Sequence, residues 1–261
     1  MGQDCISPSR HSAFSTPIEL LQFIARLREL SGGKPVRFKF CVGHPWEFMA
    51  IAKAMLETGI KPDFIVVDGK EGGTGAAPVE FTDHIGIPLR EGLLFVHNIL
   101  VGLNLREHIR LGASGKIVSA FDIASVLAMG ADWANSARGF MFAIGCIQSQ
   151  HCHTNKCPTG VATQDPLRQR ALVVPDKAER VHNFHRNTLK ALAEITSWLT
   201  SVTETPGFRP ELRTEIIKLL DETGRMGRAL GIWLRDLGVA GAAELRILDG
   251  LRPQTYPAAF A

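Results

Sequence analysis

The sequence predicts an α/β fold built on a parallel sheet, with about half of a (βα)8 barrel before residue 140. Short apolar runs alternate there with amphipathic helical segments, and short connections join them. Four strands can be counted, whereas a complete barrel needs eight strands and about 250 residues. An open doubly wound sheet is the alternative that this alternation leaves open.

The first helix is predicted over residues 17–30, where apolar residues recur at helical spacing. Ser15 or Thr16 can cap it, with Pro17 in the first turn and Glu19 placed for a capping box. The following strands are predicted at 36–42, 63–67, 109–111 and 133–136. The helices between them are predicted at 45–57, 89–103 and 120–129.

The segment after the last strand is predicted to be mainly helical. Residues 165–200 are amphipathic, and residues 211–236 also have a helical pattern, followed by a loose tail. We therefore expect a partial barrel over 1–195 that includes a cysteine-rich loop at 145–165, and a helical extension of unassigned role over 196–261. The candidate core positions of the first helical segment are Val181, Phe184, Leu189, Leu192 and Ile195.

The composition is that of a soluble globular protein. Hydrophobic residues make up 45% and charged residues 21% of the chain, and the net charge of +3 is too weak to argue for nucleic acid. No apolar run is long enough to span a bilayer, and the first residues lack a signal-peptide pattern. We expect a cytoplasmic protein with reduced thiols, in which clustered cysteines indicate a metal site rather than disulfides.

Three of the five cysteines lie within one loop bounded by Gly145 and Pro158. Cys146, Cys152 and Cys157 follow the pattern Cys-x5-Cys-x4-Cys-Pro. Thiolate ligands select an iron–sulfur centre or zinc, and Cys-Pro also occurs in the cluster loops of ferredoxins. Three ligands suit a three-iron cluster. A zinc site of the Cys3His type, with His151 or His153, and three reduced structural cysteines are the alternatives.

Three loops that follow predicted strands have features of a phosphate or flavin site. A glycine-rich loop begins at Asp68, and shorter loops lie at 113–116 and 135–139. Each could be an ordinary turn, but barrel enzymes bind phosphate on the loops after their last two strands, where backbone N–H groups and Arg138 could hold a dianion. Lys39 could face solvent or the barrel lumen, where its ammonium group could stabilise a reduced flavin.

These motifs together resemble the FMN-binding glutamate synthase family, which includes the central region of the glutamate synthase large subunit. The similarity covers residues 2 to about 190. The stretches that carry it are GQDCISPSRH at 2–11, Lys39, GKEGGTGAAP at 69–78, GASGKI at 112–117, SARGF at 136–140 and GCIQSQHCHTNKCPTGVATQD at 145–165. The resemblance implies the C-terminal half of a (βα)8 barrel that binds FMN and a 3Fe-4S cluster.

The same resemblance implies an activity and the residues that carry it. The activity is reductive amination of 2-oxoglutarate to L-glutamate through 2-iminoglutarate, with an ammonia source and with electrons from a ferredoxin or an NAD(P)H-oxidising subunit. Ser7 and Lys39 would be catalytic. Cys146, Cys152 and Cys157 would bind the cluster. The residues expected to hold FMN are Lys39, Gly72, Gly73, Gly75, Ser114, Gly115, Lys116, Arg138 and Gly139.

The sequence also departs from the family pattern. Members carry a Lys-Pro-Gly-Glu-Gly-Gly segment and the first half of the barrel ahead of the Ile-Ser-Pro motif, and this sequence starts after both. A half-barrel exposes an edge strand and one face of its core. We therefore expect an inactive fragment, one half of a split barrel completed by another chain, or a self-paired chain. A non-catalytic cluster-binding piece and a zinc-binding module are the alternative functions.

Overall fold

The computed structural model describes residues 11–70 and 83–203, which form an α/β fold. Strands and helices alternate along the chain up to residue 143, and helices follow. The strands are β1 Arg37–Cys41, β2 Phe64–Asp68, β3 Arg110–Ser114 and β4 Trp133–Asn135. The helices are α1 Pro17–Leu30, α2 Pro45–Thr58, α3 Leu89–Gly102, α4 Ala120–Ala128, α5 Ala137–Ala143, α6 Pro166–Gln169 and α7 Val174–Thr203.

The four strands form one parallel sheet in the order β1-β2-β3-β4. The predicted α/β class and the four predicted strands are therefore confirmed. Each strand lies beside the one that precedes it in the chain, and this order is consistent with part of a barrel. The completion of a barrel stays a prediction.

The two faces of the sheet differ in burial because side chains alternate along each strand. The helix-covered face contributes Ile65 and Val67 of β2 and Leu111 and Ala113 of β3, which have no exposed surface and belong to the main core. The second face carries Lys39 and its neighbours on the other strands. Lys39 lies level with Val66, Gly112 and Trp133 along the strand register.

Helix α1 begins as the sequence predicts. The Thr16 hydroxyl accepts a hydrogen bond from the Glu19 N–H at 3.2 Å, and the Glu19 carboxylate accepts one from the Thr16 N–H at 3.1 Å. This reciprocal pair satisfies donors that the first helical turn leaves unpaired. The prediction of a capped start at Thr16 and Pro17 is confirmed.

The predicted helix over 165–200 is wrong in its continuity, because the structure has a short α6 and a long α7 with a break at 170–173. Pro175 lies at the second position of α7, where it has no N–H to continue a helix from upstream. Of the expected core positions, Leu189 and Leu192 are buried, whereas Val181, Phe184 and Ile195 are partly exposed. Residues 211–236 and the predicted tail lie outside the described residues.

Helix α7 is the longest helix in the described part of the chain, at 30 residues. Charged side chains recur along most of its length. None of the described helices is both long and apolar enough to cross a membrane.

Candidate functional site

The C-terminal edge of the sheet brings several predicted site residues to one level. Cys41, Asp68, Ser114 and Asn135 end their strands side by side, as the strand register shows. Lys39 lies two residues below Cys41 on the same face. Loops that follow parallel strands meet at this edge, which is where barrel enzymes place their active sites.

Lys39 forms an ion pair across two strands with Asp68. Its Nζ lies 2.6 Å from Asp68 Oδ2, and the lysine side chain is 46% exposed while the aspartate is 22% exposed. The other carboxylate oxygen, Asp68 Oδ1, is buried and has no hydrogen-bond partner among the described residues. An unsatisfied buried acceptor costs free energy. The pair therefore holds the Lys39 ammonium group on the second face of the sheet at some expense of stability.

The loop after β3 requires a glycine at its turn. Gly115 has φ +142°, and a Cβ at that position would lie 3.1 Å from the Gly69 nitrogen. The Gly69 N–H donates to the Ser114 carbonyl at 2.8 Å. Gly115 therefore lets the loop after β3 approach the start of the glycine-rich loop after β2.

A second lysine–aspartate pair lies at the same edge. Lys116 Nζ is 2.6 Å from Asp83 Oδ2, and Asp83 Oδ1 is also buried without a hydrogen-bond partner in the described part of the chain. Lys116 has φ +47° and Asp83 has φ +68°, values that side-chain-bearing residues seldom adopt. Lys116 also lines a cleft of about 370 Å³ with Pro88, Arg90 and Asp122.

The loop after β4 joins the loop after β3 through Ser136, whose hydroxyl donates to the Ile117 carbonyl at 2.9 Å. The two loops predicted to hold phosphate are thus neighbours. Arg138, in the first turn of α5, is partly buried. Gly139 has a packing role, since a Cβ there would lie 2.7 Å from the Phe184 ring of α7. Its predicted contact with FMN stays a prediction.

The cysteine loop turns sharply and repeatedly between α5 and α6. Gly145, Gln148, Gln150, Asn155 and Gly160 all have positive φ. The three cysteines of the loop form no disulfide; Cys157 is buried, whereas Cys146 and Cys152 are partly exposed. The loop is tied together at Asn155, whose side-chain oxygen accepts from the Gln164 N–H at 2.6 Å.

Cys157 lies among hydrogen-bond donors that favour its thiolate. Burial raises the pKa of the Cys157 thiol, but hydrogen bonds from Thr159 and from the N–H groups of Ala162, Thr159 and Val161 outweigh it and lower the pKa to about 7. The Sγ lies 3.5 Å from the Thr159 hydroxyl. Thiolates are the form of cysteine that binds metals. The chemistry of this donor therefore fits an iron–sulfur centre.

A group of three or more His, Cys, Asp or Glu side chains that could hold a single metal ion does not occur within 11–70 and 83–203. In a three-iron cluster each thiolate binds a different iron atom, so its ligands need not converge on one point. The assignment of Cys146, Cys152 and Cys157 as cluster ligands stays a prediction. The zinc alternatives with His151 or His153 need a single-ion site of this kind, so the described residues do not support them; the His151 Nδ1 lies 2.6 Å from the Ser149 carbonyl.

Helix α7 brings two cations to the start of the cysteine loop. A Cβ at Gly145 would lie 3.6 Å from Lys177 Nζ and 3.9 Å from the Arg180 guanidinium. The Lys177 side chain is only 19% exposed. Two cations therefore lie at the residue that precedes Cys146.

Four predicted site residues, Ser7, Gly72, Gly73 and Gly75, lie outside the described residues. The structure adds Asp68 and Asp83, which sequence reasoning did not single out. Asp68 could have been found from its place two residues after Val66, because that spacing puts it on the face of Lys39 if β1 and β2 pair in register. Asp83 offers no comparable signal in the sequence.

Comparisons with known proteins agree on one family. Residues 1–201 match the model of the conserved region in glutamate synthase. The chain is 46% identical over 183 residues to a glutamate synthase large subunit-like protein, YerD, of Bacillus subtilis, covering 70% of this chain and 35% of that protein. It is 33% identical over 215 residues to an archaeal glutamate synthase [NADPH] of Methanocaldococcus jannaschii, covering 81% and 41%.

A ferredoxin-dependent glutamate synthase of Synechocystis is 33% identical over 194 residues, which are 73% of this chain and 12% of that protein. The chain thus spans less than half the length of each of these three relatives. The family model covers most of the chain, including the sheet, the cysteine loop and α7. The chain therefore belongs to the glutamate synthase family.

Proposed function

We propose that this chain carries the FMN and iron–sulfur half of a glutamate synthase-type oxidoreductase that converts 2-oxoglutarate to L-glutamate by reductive amination. When bound, FMN would supply a hydride to 2-iminoglutarate, and a 3Fe-4S cluster would supply electrons to the flavin one at a time. Ammonia would come from a nitrogen source, and the electron donor would be a ferredoxin or an NAD(P)H-oxidising subunit. The names of two relatives refer to these two kinds of donor.

Support for the flavin site comes from the sheet edge. Lys39 is held on the second face by Asp68, at 2.6 Å, so its ammonium group has a defined position. In the proposed role it stabilises negative charge on the flavin ring or on the substrate. Ser114, Gly115 and Lys116 lie at the same edge, with the α5 start beside them through the Ser136–Ile117 hydrogen bond.

The residue types in the loops after β3 and β4 support phosphate binding. The loop at 114–117 combines a lysine with a backbone turned by Gly115, and Arg138 lies in the first turn of the neighbouring helix. Arginine and lysine are the side chains that proteins use most for phosphate. In this role Lys116 and Arg138 bind the dianion, and Gly115 lets the backbone approach it.

Support for the cluster site comes from the cysteine loop. Cys157 is a buried thiol whose pKa is lowered to about 7, so it is available as a thiolate near neutral pH. Lys177 and Arg180 lie near the Cys146 end of the loop and would offset the negative charge of three thiolates. Cys146, Cys152 and Cys157 would each bind one iron.

The observation that carries the proposal is that Lys39, Ser114 and Lys116 meet at one sheet edge in a chain whose family match includes the cysteine loop. Ser7, proposed to lie near the 2-oxoacid, and the glycines at 72, 73 and 75, proposed to contact FMN, enter this proposal through the resemblance alone.

The test is the cofactor content of the purified protein, expressed alone and together with a chain that supplies the first barrel half. We expect FMN, iron and acid-labile sulfide in the wild type. Cys157→Ser should lose most of its iron and keep FMN, because it removes one of the three proposed thiolate ligands. Cys41→Ser is the matched control and should keep both.

Two results would contradict the proposal. Zinc in place of iron and sulfide would favour an interaction module. A protein that contains neither FMN nor iron, whether expressed alone or with the first barrel half, would show that the chain does not bind the proposed cofactors.

A further inference from the structure

The Lys116–Asp83 pair links two loops at the edge of the sheet, 33 residues apart in the sequence. Nζ and Oδ2 are 2.6 Å apart, and the side chains are 40% and 37% exposed. A ligand in solvent can therefore reach the lysine. Both residues have positive φ, which is uncommon for lysine and tolerated by aspartate, and their side chains face each other across the two loops.

The charge of Asp83 is poorly satisfied in this pair. Oδ2 bonds to Lys116, but Oδ1 is buried and no residue within 11–70 or 83–203 offers it a hydrogen bond. A phosphate that bonded to Lys116 Nζ would sit within about 6 Å of the Asp83 carboxylate, at which distance like charges repel appreciably near a protein surface. Binding a phosphate at Lys116 thus means breaking or weakening the pair and bringing two anions together.

We propose that Asp83 is a specificity-determining counter-ion of the cofactor site, which competes with the phosphate of FMN for Lys116. This inference rests on the proposed function, in which Lys116 binds that phosphate. Asp83 lowers the affinity of the site for any phosphate group. That penalty falls on every ligand that carries a phosphate, FMN and inorganic phosphate alike, and it does not affect riboflavin, which has none. Asp83 therefore sets how strongly the site distinguishes FMN from riboflavin.

A purely structural role would have a different consequence. If the pair only fastened the two loops, its loss would disturb phosphorylated and unphosphorylated ligands alike. Riboflavin separates the two cases, because it has the ring and ribityl chain of FMN but no phosphate. The selectivity between FMN and riboflavin is thus the decisive quantity.

The experiment measures dissociation constants of FMN and riboflavin for flavin-depleted protein, by quenching of flavin fluorescence, and the inhibition of FMN binding by inorganic phosphate. Asp83→Asn keeps the shape of the side chain and tolerates the left-handed backbone. We expect it to bind FMN about threefold or more tightly than the wild type does, a gain in the range that exposed ion pairs give. Riboflavin binding should be unchanged, and inorganic phosphate should become a better competitor.

Two further variants make the result specific to Lys116. In a Lys116→Met background, Asp83→Asn should no longer improve FMN binding, because the lysine for which it competes is gone. Asp176→Asn removes an exposed carboxylate that pairs with Lys177 on α7, and it should leave both flavin affinities unchanged. If Asp83→Asn does not fold, as judged by circular dichroism, Asp83→Gly removes the charge and suits φ +68°.

The outcomes distinguish this inference from the proposed function. Wild-type protein that binds neither flavin would overturn both. Wild-type protein that binds FMN, with an Asp83 variant whose FMN affinity is unchanged or lower, or whose FMN and riboflavin affinities rise together, would overturn the role of Asp83 alone.

Discussion

At the scale of single residues, the end of the sheet opposite the candidate site is held by two aspartates that act in the same way. Asp63 accepts the Val36 N–H at 2.7 Å, and Asp132 accepts the Leu111 N–H at 2.6 Å. Each also binds an arginine, Arg28 or Arg106, at 2.8 and 2.9 Å. Each aspartate comes directly before a strand, so it connects that strand to the preceding one.

His97 is part of the second of these networks. Arg106 Nε lies 3.3 Å from His97 Nδ1, and a Cβ at Gly130 would collide with the imidazole ring. Burial lowers the pKa of His97, and the charge of Arg106 lowers it further, although Asp132 and the Gly130 backbone act in the opposite direction. The folded protein therefore favours the neutral imidazole, whose Nδ1 lone pair accepts a hydrogen bond from Arg106 Nε.

This gives a pH dependence of stability. Because the folded pKa of His97 lies below the unfolded value of about 6.5, the unfolded chain binds the proton first as the pH falls. The contribution is fully present above about pH 6.5 and is lost as the pH falls towards the folded pKa. We expect His97→Gln to lose less stability than the wild type between about pH 7.5 and about pH 5.5 in urea titrations.

The exposed His108 provides the control for that prediction. The same histidine-to-glutamine substitution at this exposed position is the reference against which the pH dependence of His97→Gln is compared. An unchanged dependence in His97→Gln would show that the neutral ring at position 97 does not couple protonation to folding.

At the scale of secondary-structure elements, α5 and α7 approach each other closely at Gly139. A Cβ there would lie 2.7 Å from Phe184 and 2.8 Å from the Ser136 hydroxyl, and Phe140 also packs edge-on against Phe184 with ring centroids 5.3 Å apart. Helix α7 also packs on α4 through Leu192. Helix α7 can therefore pack this closely beside the cysteine loop only if residue 139 is small.

We expect Gly139→Ala to lower the free energy of unfolding by about 1–3 kcal/mol, the usual cost of overpacking. The better helix propensity of alanine would offset only part of it. Chemical denaturation measures the change, and Phe184→Leu in the same chain should restore part of the loss by making room. Gly102→Ala is the control, because nothing lies within 4 Å of its Cβ position. Equal effects at 102 and 139 would argue against the close approach.

The sequence predicts the features that depend on residues close together in the chain, but not those that depend on contacts between distant residues. The start of α1 follows from Thr16, Pro17 and Glu19, which are neighbours in the chain, and the strands follow from short apolar runs. Hydrophobic periodicity does not predict the break before α7, because amphipathic spacing continues across it; Pro175, at the start of α7, is the residue that indicates it. The lysine–aspartate pairs could not be predicted, since they depend on strand register and on two left-handed loop residues.

At the scale of the whole molecule, the two ends of the sheet use charge in opposite ways. At the N-terminal end, Asp132 and Arg106 are 12% and 16% exposed, and the aspartate oxygens are engaged by the Leu111 N–H and by arginines. At the C-terminal end, Asp68 and Asp83 each leave one buried oxygen to which none of the residues that the structure describes donates a hydrogen bond. The first arrangement stabilises the fold. The second keeps charged groups at the sheet edge at a cost in folding free energy, which is common at functional sites.

This contrast predicts opposite responses to the same chemical change. Asp132→Asn removes the charge that Arg106 needs in a largely buried network, and we expect it to lower the free energy of unfolding by about 3 kcal/mol. Asp68→Asn removes the charge from a half-exposed pair and leaves an amide of the same shape, so its free energy of unfolding should change by no more than about 0.5 kcal/mol. Urea unfolding and FMN titration of both variants provide the comparison.

In FMN binding the order should reverse. Asp68→Asn should alter flavin affinity, because Lys39 loses the carboxylate that holds it at 2.6 Å, whereas folded Asp132→Asn should bind FMN as the wild type does. A large loss of stability in Asp68→Asn, with flavin binding unchanged, would mean that the charges at the two ends of the sheet serve the same structural purpose. The division of the sheet into a stabilising end and a binding end depends on that comparison.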